Sequence, residues 1–303
     1  LTLSADVLYS ISCILFTKAE QDIGLTVCIA AICGSGIIGA SDRLKTSGDI
    51  TFESSQKFFG ITKSIAIMTS GDATLSTEIL LMLENEIKNR GNKNNWLVKD
   101  IVDEYINCRN RLILQKLDDA VFATWGLNYK TFLKTQNSLS KPVVESIIQD
   151  KYNFKRQLSN VSVIITGIDK HGTQLYVINN ERSICYNQIG FVAIGSGARH
   201  ANSQLMLDKY TPYFSFSDAL LLIHNAKKRS EIAPGVGRNT DMFLIESQDL
   251  SYHLKSEIID NLDKIYTSVI KKEEKIQLLA KKEVFTYIKK TLSRHEGSQK
   301  QKT

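Results

Sequence analysis

From Thr26 onward the chain alternates between short apolar runs and turn residues. Thr26-Val27-Cys28-Ile29-Ala30-Ala31-Ile32-Cys33 is an unbroken run of small apolar side chains. That pattern suits a strand covered on both faces. Gly34-Ser35-Gly36 predicts a tight turn, and Ile37-Ile38-Gly39-Ala40-Ser41 the return strand, ending at Asp42-Arg43. Residues 58–61 and 64–69 predict a second strand pair, closed by Gly71. From Asp72 the period becomes helical, with Leu75, Ile79, Leu80, Met82, Leu83 and Ile87 on one stripe. A second helix is expected over about 96–117. Residues 119–157 read as a mixed connector with a helix starting near Lys141-Pro142 and Ser140 as its N-cap. Strands return at 161–167, 174–178 and 190–194, helices at about 199–209 and 216–231, and a last strand at 241–245.

This order of strands, two helices, strands, two helices and a strand is satisfied by an α+β fold with two antiparallel sheets between helix layers. The folded domain is expected over 26–250. Residues 1–25, which open on Leu rather than Met, are read as a leader or a misassigned upstream segment. Residues 251–303 are read as a helical, basic C-terminal extension.

Composition narrows the classes. The 303 residues are 43% hydrophobic and 23% charged, with only three prolines, which excludes a disordered chain or a repeat array. The net charge of +6 hints at nucleic acid or membrane until it is located. From Lys271 to the end stand ten Lys/Arg and four Asp/Glu, so the rest of the chain is neutral. The excess is read as a solvated tail, and neither a nucleic-acid nor a membrane partner is expected. No apolar run reaches the length of a membrane span. The five cysteines Cys13, Cys28, Cys33, Cys108 and Cys185 lack metal-ligand spacing, and most have apolar neighbours. Buried free thiols in a reducing cytoplasm fit them best.

Chemistry concentrates in an ordered series: Thr26-Val27, Asp42-Arg43, Lys57-Phe58, Ser70-Gly71-Asp72-Ala73 and Gly195-Ser196-Gly197. A hydroxyl nucleophile needs a base, a nearby cation and oxyanion donors. An N-terminal threonine supplies hydroxyl and base together, because a freed α-amine has a pKa of about 8. The series resembles the motifs of proteasome β-subunits and of related bacterial proteasome-type N-terminal-nucleophile (Ntn) hydrolases. The likeness runs over about three quarters of the chain, to Ile245. Thr26 lies 16 residues before Asp42 and Lys57 lies 14 before Gly71, both as in that family. Asp42 to Lys57 is 15, one shorter, which a turn around Thr46-Ser47-Gly48-Asp49 could absorb.

The resemblance implies a four-layer α/β/β/α sandwich and a threonine-type peptidase acting on peptide or protein substrates within a homo-oligomeric ring. It implies Thr26 as nucleophile and base, Asp42 and Lys57 as activators, the Gly71 N–H as oxyanion donor and Ser196 as support near the amine. No metal or organic cofactor is needed, and an ATPase partner is left open. Three positions depart from the pattern. Glu231 stands for the family's second aspartate and Pro234 for its serine, while Leu25 replaces the glycine usual before the nucleophile. Two rival readings remain: a non-proteolytic amidohydrolase on the same scaffold, and a catalytically silent ring or scaffold subunit.

Blander motifs are set aside. His200 and His224 suggest a serine–histidine pair with Ser196, but Gly-Ser-Gly lacks the nucleophile-elbow pattern. Gly235-Val236-Gly237 lacks the third glycine and the preceding strand of a phosphate loop. Asn160-Val161-Ser162 matches a glycosylation triplet that a cytoplasmic strand makes irrelevant.

Overall fold

The structure is a computed structural model. It describes residues 26–34, 36–47, 50–53, 57–91, 96–158, 161–179, 182–248 and 250–300, the side chains of 45–52, 156–158, 250 and 292–300 excepted. The leader reading over 1–25, with Cys13 and Leu25, lies outside these residues. So do Gly48, Asp49 and Asn160.

The small-apolar run forms β1 (Cys28–Cys33), and Gly34, at φ +43°, turns the chain into β2 (Gly36–Asp42). Every residue of both strands is buried, as an unbroken run of small side chains requires. A hairpin not anticipated from the sequence comes next, β3 (Leu44–Ser47) with β4 (Ile50–Glu53). After it stand β5 (Phe58–Gly60) and β6 (Ile65–Gly71). Asp72 then caps α1 (Ala73–Asn89), accepting from the Thr74 and Leu75 N–H groups at 2.8 and 3.0 Å. Helix α2 is Val98–Leu117. The connector is more helical than its sequence suggests, with α3 (Tyr129–Thr135) and α4 (Lys141–Leu158).

Strands β7 (Val161–Asp169), β8 (Gly172–Asn179), β9 (Arg182–Cys185) and β10 (Phe191–Ile194) precede α5 (Ala198–Leu207) and α6 (Phe216–Ser230). Then come β11 (Thr240–Ser247), β12 (Leu250–His253) and α7 (Ser256–Lys300). Residues 251–253, expected to be helical, are therefore strand. Tyr252 and His253 pair with Leu244 and Phe243 of β11, so local pairing overrides the helical composition of the residues after them.

The protein is thus an α+β chain with two five-stranded antiparallel sheets and seven α-helices among the described residues. One sheet has the order β10-β1-β2-β11-β12, the other β5-β6-β7-β8-β9. Ile32, Ile37, Val192 and Phe243 of the first sheet share one apolar core with Phe58, Met68, Ile164 and Val177 of the second. A separate core joins Leu75, Ile79 and Leu83 of α1 and Ile101 and Tyr105 of α2 to Ile67, Val163 and Ile165. Helices α5 and α6 contact the first sheet at β10, β1 and β2. The chain divides after Leu254 into this body and a unit that carries α7. No helix among the described residues is long and apolar enough to cross a membrane.

Phe243 joins the two sheets at the end of this core nearest Lys57. Its ring stacks on Phe58 with centroids 3.8 Å apart, and it fills the space over Gly39, where a Cβ would lie 1.8 Å from the ring. Gly39→Ala therefore pushes the ring off its seat. We expect a loss of roughly 1–3 kcal/mol, read as a lower urea midpoint.

Candidate active site

The β1–β2 hairpin explains the 16-residue spacing. Cys28 faces Ser41 in the ladder, and the Asp42 N–H donates to the Val27 carbonyl at 3.2 Å, so Asp42 returns beside Val27 and Thr26. Asp42 has no exposed surface. Its Oδ1 accepts from the Val27 N–H at 2.9 Å, from Lys57 Nζ at 2.7 Å and from Thr26 Oγ1 at 2.5 Å. Its Oδ2 accepts from the Gly237 N–H at 2.9 Å and the Leu44 N–H at 3.2 Å. Five donors from four chain segments satisfy one buried carboxylate, which is otherwise costly to keep charged.

Lys57 is also buried and donates to Thr26 Oγ1 as well as to Asp42. Its place is set by its neighbour: Phe58, locked against Phe243, holds the start of β5 beside the hairpin. The Thr26 hydroxyl thus donates to a carboxylate and accepts from an ammonium. The ammonium lowers the cost of an alkoxide at Oγ1, and Asp42 holds that ammonium in place.

The Gly195-Ser196-Gly197 turn wraps the Thr26 backbone. Ser196 Oγ accepts from the Thr26 N–H at 3.2 Å. Its single proton has two acceptors in reach, the Thr26 and Pro234 carbonyls, each at 3.2 Å. The Gly197 N–H also donates to the Thr26 carbonyl, at 3.1 Å. Gly195 has φ +94°, and a Cβ on it would lie 2.3 Å from that carbonyl oxygen, so only glycine fits there. Ser196 is thereby engaged with Thr26 and Pro234, and its glycines serve this close approach.

The six expected site residues are not equally close. Thr26, Asp42, Lys57 and Ser196 are joined by direct hydrogen bonds. Gly71 ends β6 at φ +110°, two residues after Thr69, whose carbonyl accepts from Cys28 Sγ at 3.5 Å. That contact ties the end of β6 to β1. Glu231 caps α6 and pairs with Lys227 at 2.6 Å and Lys228 at 2.9 Å, so it meets the cluster through a lysine rather than at Thr26.

Lys227 is the residue that sequence reasoning missed. It is fully buried and donates to Glu231, to the Gly237 carbonyl at 2.9 Å and to the Arg238 carbonyl at 2.8 Å. It thereby fixes the loop whose Gly237 N–H reaches Asp42. Burial pushes its pKa down, and the Glu231 carboxylate opposes that shift. The signal in the sequence was faint: a lysine three and four residues after His224 and Ile223, with a glutamate four residues on. Gly235-Val236-Gly237, discounted as a phosphate loop, supplies this backbone donor instead.

No protein-family model and no curated protein matches the chain.

Cys28 and Cys33 are buried free thiols, as is Cys108, whereas Cys185 is exposed. Burial raises the Cys28 pKa from 9.0 to about 12, opposed by Lys57 and reinforced by Asp42. The thiol therefore stays protonated and inert where a free cysteine ionises. Stability that depends on the thiol is whole below pH 9.0 and is lost as pH rises toward about 12. Alkylation with iodoacetamide at mildly alkaline pH, mapped by peptide mass, should label Cys185 and spare Cys28.

The carboxylate and the ammonium should respond unequally to removal. Asp42→Asn leaves Lys57 buried without its counter-charge and should cost about 3–5 kcal/mol. Lys57→Met leaves Asp42 four of its five donors and should cost clearly less. Urea unfolding of the two variants checks that order.

Proposed function

We propose that this protein is an Ntn hydrolase of the proteasome type, a four-layer α/β/β/α sandwich that cuts peptide bonds with Thr26 after the residues before it are removed. The observation that carries the reading is the Thr26 hydroxyl held between Asp42 and Lys57 in a buried site, with its own nitrogen beside Ser196. The helix contacts on each sheet and the apolar core that the sheets share support the layered architecture.

In the intact chain the Thr26 nitrogen is an amide and cannot take a proton. Once the Leu25–Thr26 bond is cut, it becomes an amine next to the hydroxyl. The amine accepts the Oγ1 proton while Oγ1 attacks the substrate carbonyl, and Lys57 stabilises the charge on Oγ1. The Gly71 N–H is assigned to the carbonyl oxygen as it becomes an oxyanion. The tetrahedral adduct collapses to a threonine ester, and the ammonium returns its proton to the leaving amine. Water, deprotonated by the same amine, then hydrolyses the ester and restores the hydroxyl. Asp42 holds Lys57 and the Thr26–Val27 backbone in register throughout. Glu231 acts through Lys227, and the Pro234 carbonyl accepts from Ser196 without replacing the family's serine hydroxyl as a donor. The domain is assigned to a homo-oligomeric ring.

The test is turnover of fluorogenic peptides and of small amides by the assembled protein. Thr26→Ala should cut turnover about a thousandfold or more with assembly intact, while Thr26→Ser retains part of it. Turnover that survives Thr26→Ala would exclude Thr26 as nucleophile. Cleavage of small amides but not of peptides would favour the amidohydrolase reading, and no turnover of either a silent subunit.

A further inference from the structure

Helix α7 spans Ser256–Lys300, and from 271 to 291 it carries seven lysines against three glutamates. The segment also exposes Ile276, Leu278, Leu279, Val284, Phe285, Tyr287 and Ile288. At 3.6 residues per turn, Ile276, Ala280, Val284, Tyr287 and Ile288 line one face. Lys271, Lys275, Lys282 and Lys289, all exposed, line the opposite face. Phe285 and Leu278 flank this stripe beyond Ile288, with Lys281 between them and it.

We propose that residues 271–291 form an amphipathic helix that lies on an anionic lipid surface, its apolar face in the headgroup region and its lysines toward the phosphates. A second copy of the helix is a poorer occupant for two reasons. The heptad begun by Leu262, Ile265 and Val269 would place Lys272, Glu283 and Lys290 in the seam, where a coiled coil needs apolar residues. Two such helices would also bring two lysine-rich segments together. An apolar stripe over about a third of the circumference, opposite a basic one, suits a planar anionic surface, and each lysine near such a surface adds attraction. From sequence the same lysines read as a solvated tail; the apolar face opposite them is what changes the assignment. This proposal is independent of the hydrolase reading.

The test is co-sedimentation of the full chain with vesicles of phosphatidylcholine alone and of phosphatidylcholine mixed with phosphatidylglycerol, at low and high salt. The chain should sediment with the mixed vesicles at low salt, stay in solution with the neutral ones, and be released by high salt. Lys275→Glu combined with Lys282→Glu and Lys289→Glu should weaken binding about tenfold or more. Ile276→Ser with Ile288→Ser should weaken it comparably, and both sets change exposed positions only. Failure to bind anionic vesicles, equal binding to both compositions, or unchanged binding in either variant overturns the proposal. So does self-association without vesicles that Ile276→Ser with Ile288→Ser removes, which would assign the face to a second copy.

Discussion

A carboxylate with no access to water sits at the end of β2, and much of the body is arranged to supply its donors. Asp42 takes hydrogen bonds from Thr26, Val27, Leu44, Lys57 and Gly237. These come from the start of the hairpin, from β3, from the entry to β5 and from the loop before β11. An unpaired buried carboxylate would cost several kcal/mol, so these segments are coupled through one side chain. The hydroxyl of Thr26 inherits its surroundings from that coupling: it is held by the group that orders the hairpin.

The supports of this arrangement lie further out. Phe243, stacked on Phe58 over the bare Gly39, sets where Lys57 enters. Lys227, buried and neutralised by Glu231, holds the loop that presents the Gly237 N–H. A Cβ on Gly237 itself would come within 2.7 Å of the Leu44 side chain, so that loop and β3 approach as closely as glycine allows. The Gly195-Ser196-Gly197 turn does the same for the Thr26 carbonyl. At Gly237 and Gly195 a glycine lets backbone come close to a buried charge or carbonyl.

The hairpin from Thr26, the strand pair ending at Gly71 and the helices after Asp72 and Ser215 were legible in the sequence, because apolar period and turn residues are local signals. So was the spacing that brings Asp42 beside Val27, since a tight two-strand turn fixes the register. The short strands β3, β4, β9 and β12 were not. Unlike the equally short β10 with its apolar Phe-Val-Ala-Ile run, these four mix polar and apolar residues and are stabilised by a neighbour rather than by their own pattern. Lys227 was hidden for a related reason: a buried lysine cannot be told from a surface one until its carbonyl partners are brought together. Glu231 was matched by position along the chain, whereas its salt bridges to Lys227 and Lys228 depend on the turn that ends α6. The tail was judged by its charge alone, and the exposure of its apolar face emerged only from the structure.

The proposed function turns on the Thr26 nitrogen. With Leu25 attached it is an N–H donor to Ser196 and cannot take the hydroxyl proton. In the proposed mechanism the freed nitrogen supplies the base beside the Thr26 hydroxyl and Lys57. The most direct measurement is the N-terminal sequence and intact mass of the assembled protein produced from its own gene. The account predicts a chain that begins at Thr26. A retained segment before Thr26 in fully assembled, peptide-cleaving protein would contradict it.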